Sequence, residues 1–81
     1  MKIPRDVSST DLIKSLKKFN YEVTRQVGSH IRLTKTTEST THHITIPNHS
    51  PIKIGTLNNI LKDISDSLSI SKEQLIKELF D

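Results

Sequence analysis

A histidine that follows a Gly-Ser pair is the residue of this chain best placed for chemistry. Gly28 and Ser29 lie between residues 21–27 and 30–35, two stretches that alternate apolar and polar side chains as β-strands do. They predict a hairpin turn, and His30 directly follows it. An imidazole has an unperturbed pKa of about 6.5 and changes charge near physiological pH. It can act as general acid or base on a ribose 2′-hydroxyl or a leaving 5′-oxygen, which contributes about 10²–10⁴-fold when the group is positioned. By pattern alone, a histidine that only caps the turn is the more common case.

The other three histidines do not have the spacing of a metal site. His42 and His43 are adjacent on a predicted strand and therefore point to opposite faces. The chain has no cysteine and no His-x-x-x-His pair, so we expect neither a metal ion nor another cofactor. His42 is expected to be half-buried on the Ile44 side. His49 follows Pro47 in a loop, either as a second catalytic or phosphate-contacting group or as a residue that only makes loop hydrogen bonds.

Positive charge is concentrated in the first two thirds of the chain. Residues 1–53 contain nine Lys or Arg and four Asp or Glu, which gives +5, whereas residues 54–81 contain three and five, which gives −2. A basic region of this kind is typical of a surface that meets nucleic acid, and a merely solvated basic surface is the alternative. The tyrosine and the two phenylalanines fall at predicted core positions, so contact with the nucleic-acid backbone is expected rather than base stacking. The candidate phosphate contacts are Arg25, Arg32, Lys35 and Lys53.

Length and composition predict one cytoplasmic domain. The 81 residues suffice for a single domain over 1–81, and 32% of them are apolar. The lack of cysteine excludes disulfides and thiolate chemistry and fits a reducing compartment. No apolar run approaches the ~20 residues of a membrane span, and the N-terminus lacks the apolar core of a signal peptide. We therefore expect a soluble cytoplasmic protein without a membrane partner.

The apolar pattern predicts the order α-β-β-β-α with a short extra C-terminal helix. Residues 8–11 are a helix start signal, and apolar residues at helical spacing follow up to Phe19, with Asn20 as a left-handed C-terminal residue. Strands are predicted over 21–27, 30–35 and 41–47, a second helix opens at 55–56, and Ser71 with Gln74 makes a capping-box pattern before the last helix. Three antiparallel strands with helices on one face make a two-layer α+β domain. Its polar sheet face is predicted to carry Glu22, Thr24, Gln26, Arg32, Thr34, His43 and Thr45.

The first hairpin contains a conflict between turn length and strand faces. A two-residue loop would pair Val27 with His30 and would place the apolar residues of the two strands on opposite faces, because a shift of one residue turns every side chain over. We therefore predict an odd loop or a bulge that pairs Val27 near Ile31. This places His30 in the turn or bulge itself.

Several short motifs, in their order and spacing, resemble the HicA family of mRNA-interferase toxins. The resemblance covers nearly the whole chain. Its motifs are Ile3-Pro4-Arg5-Asp6, Leu16-Lys17-Lys18-Phe19-Asn20-Tyr21, Arg25-Gln26-Val27-Gly28-Ser29-His30, Ile46-Pro47-Asn48-His49 and Gly55-Thr56-Leu57-Asn58-Asn59-Ile60-Leu61-Lys62. The family usually has glycine where Asn20 stands, and asparagine tolerates the same left-handed conformation.

The resemblance implies a double-stranded-RNA-binding-domain-like fold and ribonuclease activity on mRNA. It implies that the histidine of the Gly-Ser-His motif, here His30, is catalytic, and that a HicB-type antitoxin binds and silences the protein. His49 matches a recurrent histidine of the family.

The leading hypothesis is a metal-independent mRNA endoribonuclease of a toxin–antitoxin system. Two others stay open: a non-catalytic RNA-binding module with the same fold, and a protein-interaction domain whose main partner is an antitoxin. In the leading hypothesis His30 is the general acid or base, and the RNA-binding residues are Gly28, Ser29, Arg25, Arg32, Lys35, His49 and Lys53.

Overall fold

The chain folds into a three-stranded antiparallel sheet with three helices. The computed structural model describes residues 6–80, so Ile3-Pro4-Arg5 of the first motif lies outside the described residues. The elements are α1 (Ser9–Leu16), a 3-10 turn (Lys17–Phe19), β1 (Glu22–Val27), β2 (His30–Thr36), β3 (Thr41–Pro47), α2 (Ile54–Leu68) and α3 (Lys72–Phe80). The predicted α-β-β-β-α order and the extra C-terminal helix are confirmed, while the extent of the domain over 1–81 stays a prediction. Among residues 6–80, no helix has both the length and the apolar character needed to cross a bilayer.

The helix ends follow the predicted capping chemistry. The Ser8 hydroxyl accepts a hydrogen bond from the Asp11 amide at 3.1 Å, which satisfies one of the free N–H groups in the first turn of α1. Asn20 takes the left-handed conformation, with φ of 68°, directly after the 3-10 turn. At α3 the Ser71 hydroxyl accepts from the Gln74 amide at 3.0 Å. These local signals set where the chain enters and leaves the sheet.

The core lies between the helices and one face of β2 and β3. Along these two strands buried and exposed residues alternate, and Ile31, Leu33, Ile44 and Ile46 form the buried side. Tyr21 is fully buried, and Phe19 and Phe80 pack at the edge of the same core, as predicted. By contrast, every residue of the edge strand β1 is exposed. The helices contribute the following buried residues: Leu12, Leu16, Leu57, Ile60, Leu61, Ile64, Leu75, Ile76 and Leu79.

The predicted geometry of the first hairpin is wrong. The strands are in the order β1-β2-β3, and Val27 pairs directly with His30 across a two-residue Gly28-Ser29 turn. Gly28 has φ of 58°, which fits the first position of a type II′ turn. His30 is therefore a paired strand residue, the first of β2, and not a member of the turn or of a bulge.

An irregularity does exist, but it lies further from the turn. The pairing passes from Val23 opposite Leu33 to Arg25 opposite Arg32, so that Thr24 is one extra residue on β1. This bulge brings Val23 onto the helix side while leaving Arg25 on the other side. The predicted position of Gln26 on the polar face is also wrong, because Gln26 pairs with the buried Ile31.

A chain of three polar side chains joins the residue that precedes β1 to β3 and to α2 on the helix side of the sheet. The Tyr21 hydroxyl lies 2.7 Å from Nδ1 of His42, and Nε2 of His42 lies 3.2 Å from the Asp63 carboxylate. A carboxylate only accepts, so Nε2 carries the proton and, in the neutral ring, the tyrosine hydroxyl donates to Nδ1. His42 is half-buried beside the core, as predicted. Burial raises the pKa of Tyr21; the nearby Ser67 hydroxyl opposes this, and the charge of Asp63 adds to the rise.

Replacing the tyrosine by phenylalanine tests this chain. Tyr21→Phe keeps the ring in the core but leaves Nδ1 of His42 without its donor, so we expect the free energy of unfolding to fall by about 1 kcal/mol. Urea denaturation of both proteins measures the change. In a His42→Ala background the same substitution should cost less, because the acceptor is already absent. Equal unfolding midpoints for wild type and Tyr21→Phe would contradict the assignment.

The tyrosine also predicts a pH dependence at high pH. Because the pKa of Tyr21 is raised in the folded state, its contribution to stability is complete below the unfolded value of 10.0 and is lost as pH rises through the folded value. The chain has one tyrosine and no tryptophan, so tyrosinate absorbance reports this group alone. We expect its titration midpoint to lie above 10.0 in the native protein and to return to that value in urea. Identical midpoints in the two conditions would be inconsistent with burial of the hydroxyl.

Candidate active site

His30 points to the face of the sheet that the helices leave uncovered. It alternates with the buried Ile31, and it shares its side with Arg32 two residues later. We call this side the open face; its side chains come from Glu22, Thr24, Arg25, Val27, His30, Arg32, Thr34, His43 and Thr45. The core therefore supports His30 from behind without covering it, and the imidazole is accessible from solvent.

The Gly-Ser-His turn is fastened to the loop that joins β3 to α2. The Asn48 amide donates to the Ser29 carbonyl at 2.6 Å. The Asn48 side chain in turn accepts a hydrogen bond from the Ser9 hydroxyl at 2.9 Å, and the Ser9 amide donates to the His49 carbonyl at 3.0 Å. The start of α1 thus holds the loop, and the loop holds the turn. By pattern, Ser9 belongs only to the helix start signal over residues 8–11, and Asn48 has no role beyond its place in one of the motifs quoted above.

His30 and the β3–α2 loop enclose a first cleft of about 380 Å³. His49 and Lys53 line it together with His30, so three of the predicted site residues meet here. Lys53 immediately precedes α2, and within residues 6–80 no side chain caps the amides of the first turn of this helix. Free amides at a helix N-terminus, next to a lysine, form a favourable environment for a phosphate group. The remaining lining residues are Thr45, Pro47 and Thr56.

His30 also lines a second, smaller cleft of about 220 Å³ on the open face. Arg25 and Arg32 are directly opposite each other across β1 and β2 and line this cleft with Val27 and Thr45. Within residues 6–80, neither guanidinium lies within ion-pair distance of a carboxylate. Like charges at directly paired positions repel each other, so the pair favours an anion between them.

Lys35 is not grouped with the other predicted residues. It pairs with His42 on the helix side of the sheet, and its Nζ lies 5.9 Å from the centre of the Tyr21 ring. Conversely, Thr45 lines both clefts but carried no distinctive sequence signal, since threonine is common in strands. In the described part of the chain, no group of three or more His, Asp or Glu residues is arranged to hold a metal ion.

Comparison with known proteins gives a family match. A family model described as the HicA toxin of bacterial toxin–antitoxin systems matches residues 9–65. No curated protein and no solved structure matches the chain. The matched range extends from α1 into the last turns of α2 and includes every residue that lines the two clefts.

The paired arginines predict a gain in stability when one is removed. Arg25→Gln ends the like-charge repulsion, so we expect the free energy of unfolding to rise by about 0.2–1 kcal/mol in low salt. The gain should shrink in high salt, where exposed charges are screened. Urea denaturation at two salt concentrations measures it, with Lys77→Gln on the exposed side of α3 as the control that should show no gain. A stability loss for Arg25→Gln in low salt would show that the two guanidiniums do not repel each other.

Proposed function

The chain belongs to the HicA toxin family of bacterial toxin–antitoxin systems, and from this we propose that it is a metal-independent endoribonuclease that cleaves mRNA. The observation that carries the proposal is the position of His30. Its side chain lines both clefts, with Lys53 on one side and the Arg25–Arg32 pair on the other. An RNA strand held by these cations passes over the imidazole.

In the proposed reaction RNA supplies its own nucleophile. The 2′-hydroxyl oxygen attacks the adjacent phosphorus and the bond to the 5′-oxygen breaks, which leaves a cyclic phosphate and a free 5′-hydroxyl. His30 either accepts the proton of the 2′-hydroxyl or, when protonated, donates one to the departing 5′-oxygen. His49 lies in the same cleft and is the candidate for the complementary proton transfer or for contact with the phosphate.

The cations hold the RNA backbone on both sides of the cleaved bond. Phosphates flanking the cleaved bond bind at the start of α2 beside Lys53 and between Arg25 and Arg32. Gly28 and Ser29 act through the backbone, because the tight turn and its hydrogen bond to Asn48 fix the backbone position of His30. The cations and the amides of α2 are effective because they are already in place and need not reorganise during the reaction. Lys35, on the other side of the sheet, has no part in this arrangement.

The partners of HicA family toxins are HicB antitoxins, and a HicB-type antitoxin is accordingly the proposed protein partner of this chain. The cationic clefts around His30 suit an acidic surface as well as they suit RNA, so one antitoxin could neutralise the charge and block the imidazole together. Because mRNA is cytoplasmic, the proposed activity is cytoplasmic too.

Replacement of the imidazole tests the proposal. His30→Ala removes the group that transfers the proton, so we expect cleavage of a long RNA to slow by about 10²–10⁴-fold. The assay contains EDTA throughout, and wild type should cleave under these conditions. Circular dichroism checks that the variant is folded, and Lys77→Ala on α3 serves as a surface control that should cleave like wild type.

Three other outcomes would contradict the proposal in different ways. Equal cleavage by wild type and His30→Ala would remove the catalytic role of His30. Loss of wild-type cleavage in EDTA would show that a metal ion is needed. Equal RNA affinity of the two proteins with no cleavage by either would identify a non-catalytic RNA-binding module.

A further inference from the structure

The open face extends past the second cleft to a group of side chains that the proposed reaction does not use. Two residues beyond the arginine pair along β2, Thr34 lies opposite His43 of β3. The Thr24 side chain reaches the same place from the bulge in β1, because its hydroxyl lies 2.8 Å from that of Thr34. This group, Thr24, Thr34 and His43, continues the line that starts at His30 and passes over Arg32.

One hydroxyl contacts the imidazole of His43 and is itself held by a second. The Thr34 hydroxyl lies 2.9 Å from Nδ1 of His43, and the Thr24 hydroxyl lies 2.8 Å from that of Thr34, so a line of hydrogen bonds from β1 orients the ring. His43 is nevertheless exposed on the open face. Its neighbour His42 points to the opposite face of the sheet, where its ring is hydrogen-bonded to Tyr21 and Asp63. An exposed aromatic ring that is held in place presents a flat surface to solvent.

The charges around His43 differ from those around His30. Glu22 pairs with Thr34 on the side away from His43, and among the strand residues that the structure describes no Lys or Arg pairs with Thr34 or with His43. A phosphate is therefore disfavoured here, unlike between Arg25 and Arg32. A nucleobase suits the position, since unstacked bases in single-stranded RNA stack on aromatic side chains, histidine included.

We propose that His43 is a stacking platform for one nucleobase of a single-stranded RNA that lies along the open face. This inference rests on the proposed ribonuclease function and adds a substrate subsite to it. Thr34 lies opposite His43 and is four residues from His30 along β2. Four residues of a strand span about 14 Å, so His43 lies about that far from His30 along the open face. The stacked base is therefore expected about two nucleotides from the cleaved bond. The phosphate between lies on the arginine pair. We expect the substrate to be single-stranded there, because a base that is paired and stacked in a helix reaches the ring only after it is unpaired and unstacked, which costs free energy.

The test uses oligonucleotides in which the position of cleavage is fixed. Each is an eight-nucleotide 2′-O-methyl RNA with one internal ribonucleotide, whose 2′-hydroxyl is the only nucleophile. The base is removed at one position at a time on either side of the ribonucleotide, and kcat/KM is measured for wild type, His43→Ala and His43→Phe. A fully 2′-O-methylated eight-nucleotide RNA measures equilibrium binding to the same proteins, with Lys77→Ala as the control.

For the intact oligonucleotide we expect His43→Ala to lower kcat/KM by about fivefold or more, the usual range for loss of one stacked base. Wild type should show the same loss when the base about two nucleotides from the cleaved bond is missing. His43→Ala should be insensitive to that missing base, and His43→Phe should restore both rate and sensitivity. A merely structural role for the imidazole would not produce rescue by phenylalanine together with dependence on a single base.

Equal kcat/KM for wild type and His43→Ala would overturn the inference while leaving the catalytic role of His30 intact. If wild type cleaves no oligonucleotide, the proposed function fails. Binding of the fully methylated RNA then tests the stacking role of His43 by itself, and equal affinity of wild type and His43→Ala would overturn that role. Unchanged RNA binding by His43→Ala together with weaker binding of a HicB antitoxin would identify the open face as a protein interface and would also overturn it.

Discussion

The alternation of side chains along β2 is the constraint from which the rest of the structure follows. His30 and Arg32 can face solvent only because Ile31 and Leu33 face the helices. The two-residue turn transmits this register to β1 and brings Arg25 opposite Arg32. The turn alone would send the apolar start of β1 to the wrong side, and the extra residue at Thr24 corrects this without moving the arginine. The turn thus places the arginines on the cationic surface, and the bulge directs the start of β1 toward the core.

A second set of contacts joins the two cationic regions into one site. Arg25 and Arg32 belong to a hairpin, whereas His49 and Lys53 belong to a loop and to the start of a helix. The bond from the Asn48 amide to the Ser29 carbonyl ties these parts together next to His30. Since α1 fixes the same loop through Ser9, the geometry around the imidazole depends on an element that contributes no side chain to either cleft.

Local sequence signals were sufficient for most of the fold. Ser8, Asn20 and Ser71 act on backbone groups within a few residues, so their effect on the helix ends was predictable. The mismatch of strand faces correctly required one irregular residue in the hairpin. Its place was not predictable, because a bulge near the turn and a bulge at Thr24 both put Tyr21 and Val23 on the helix side. The two differ in the side on which Arg25 and Val27 lie, and a charged and an apolar residue favour opposite answers.

The composition of the site was harder to infer than the identity of His30. Net charge grouped Lys35 with the arginines, but strand parity puts it on the helix side, over the ring of Tyr21. Thr45 was missed as a lining residue because a strand threonine has no distinctive signal. The link from Ser9 to Asn48 spans 39 residues and depends on tertiary structure alone.

The separation of the two sheet faces also bears on how this protein can diversify. Residues of the open face carry no part of the apolar core, so an exchange at one of their positions alters contacts with a ligand without leaving a cavity. On the buried face, an exchange for a smaller residue leaves a cavity, because the side chains there pack in the same core as those of the helices. The surface chemistry of the open face and the packing of the core are therefore encoded at alternating positions of the same strands, so the first can change without repacking of the second.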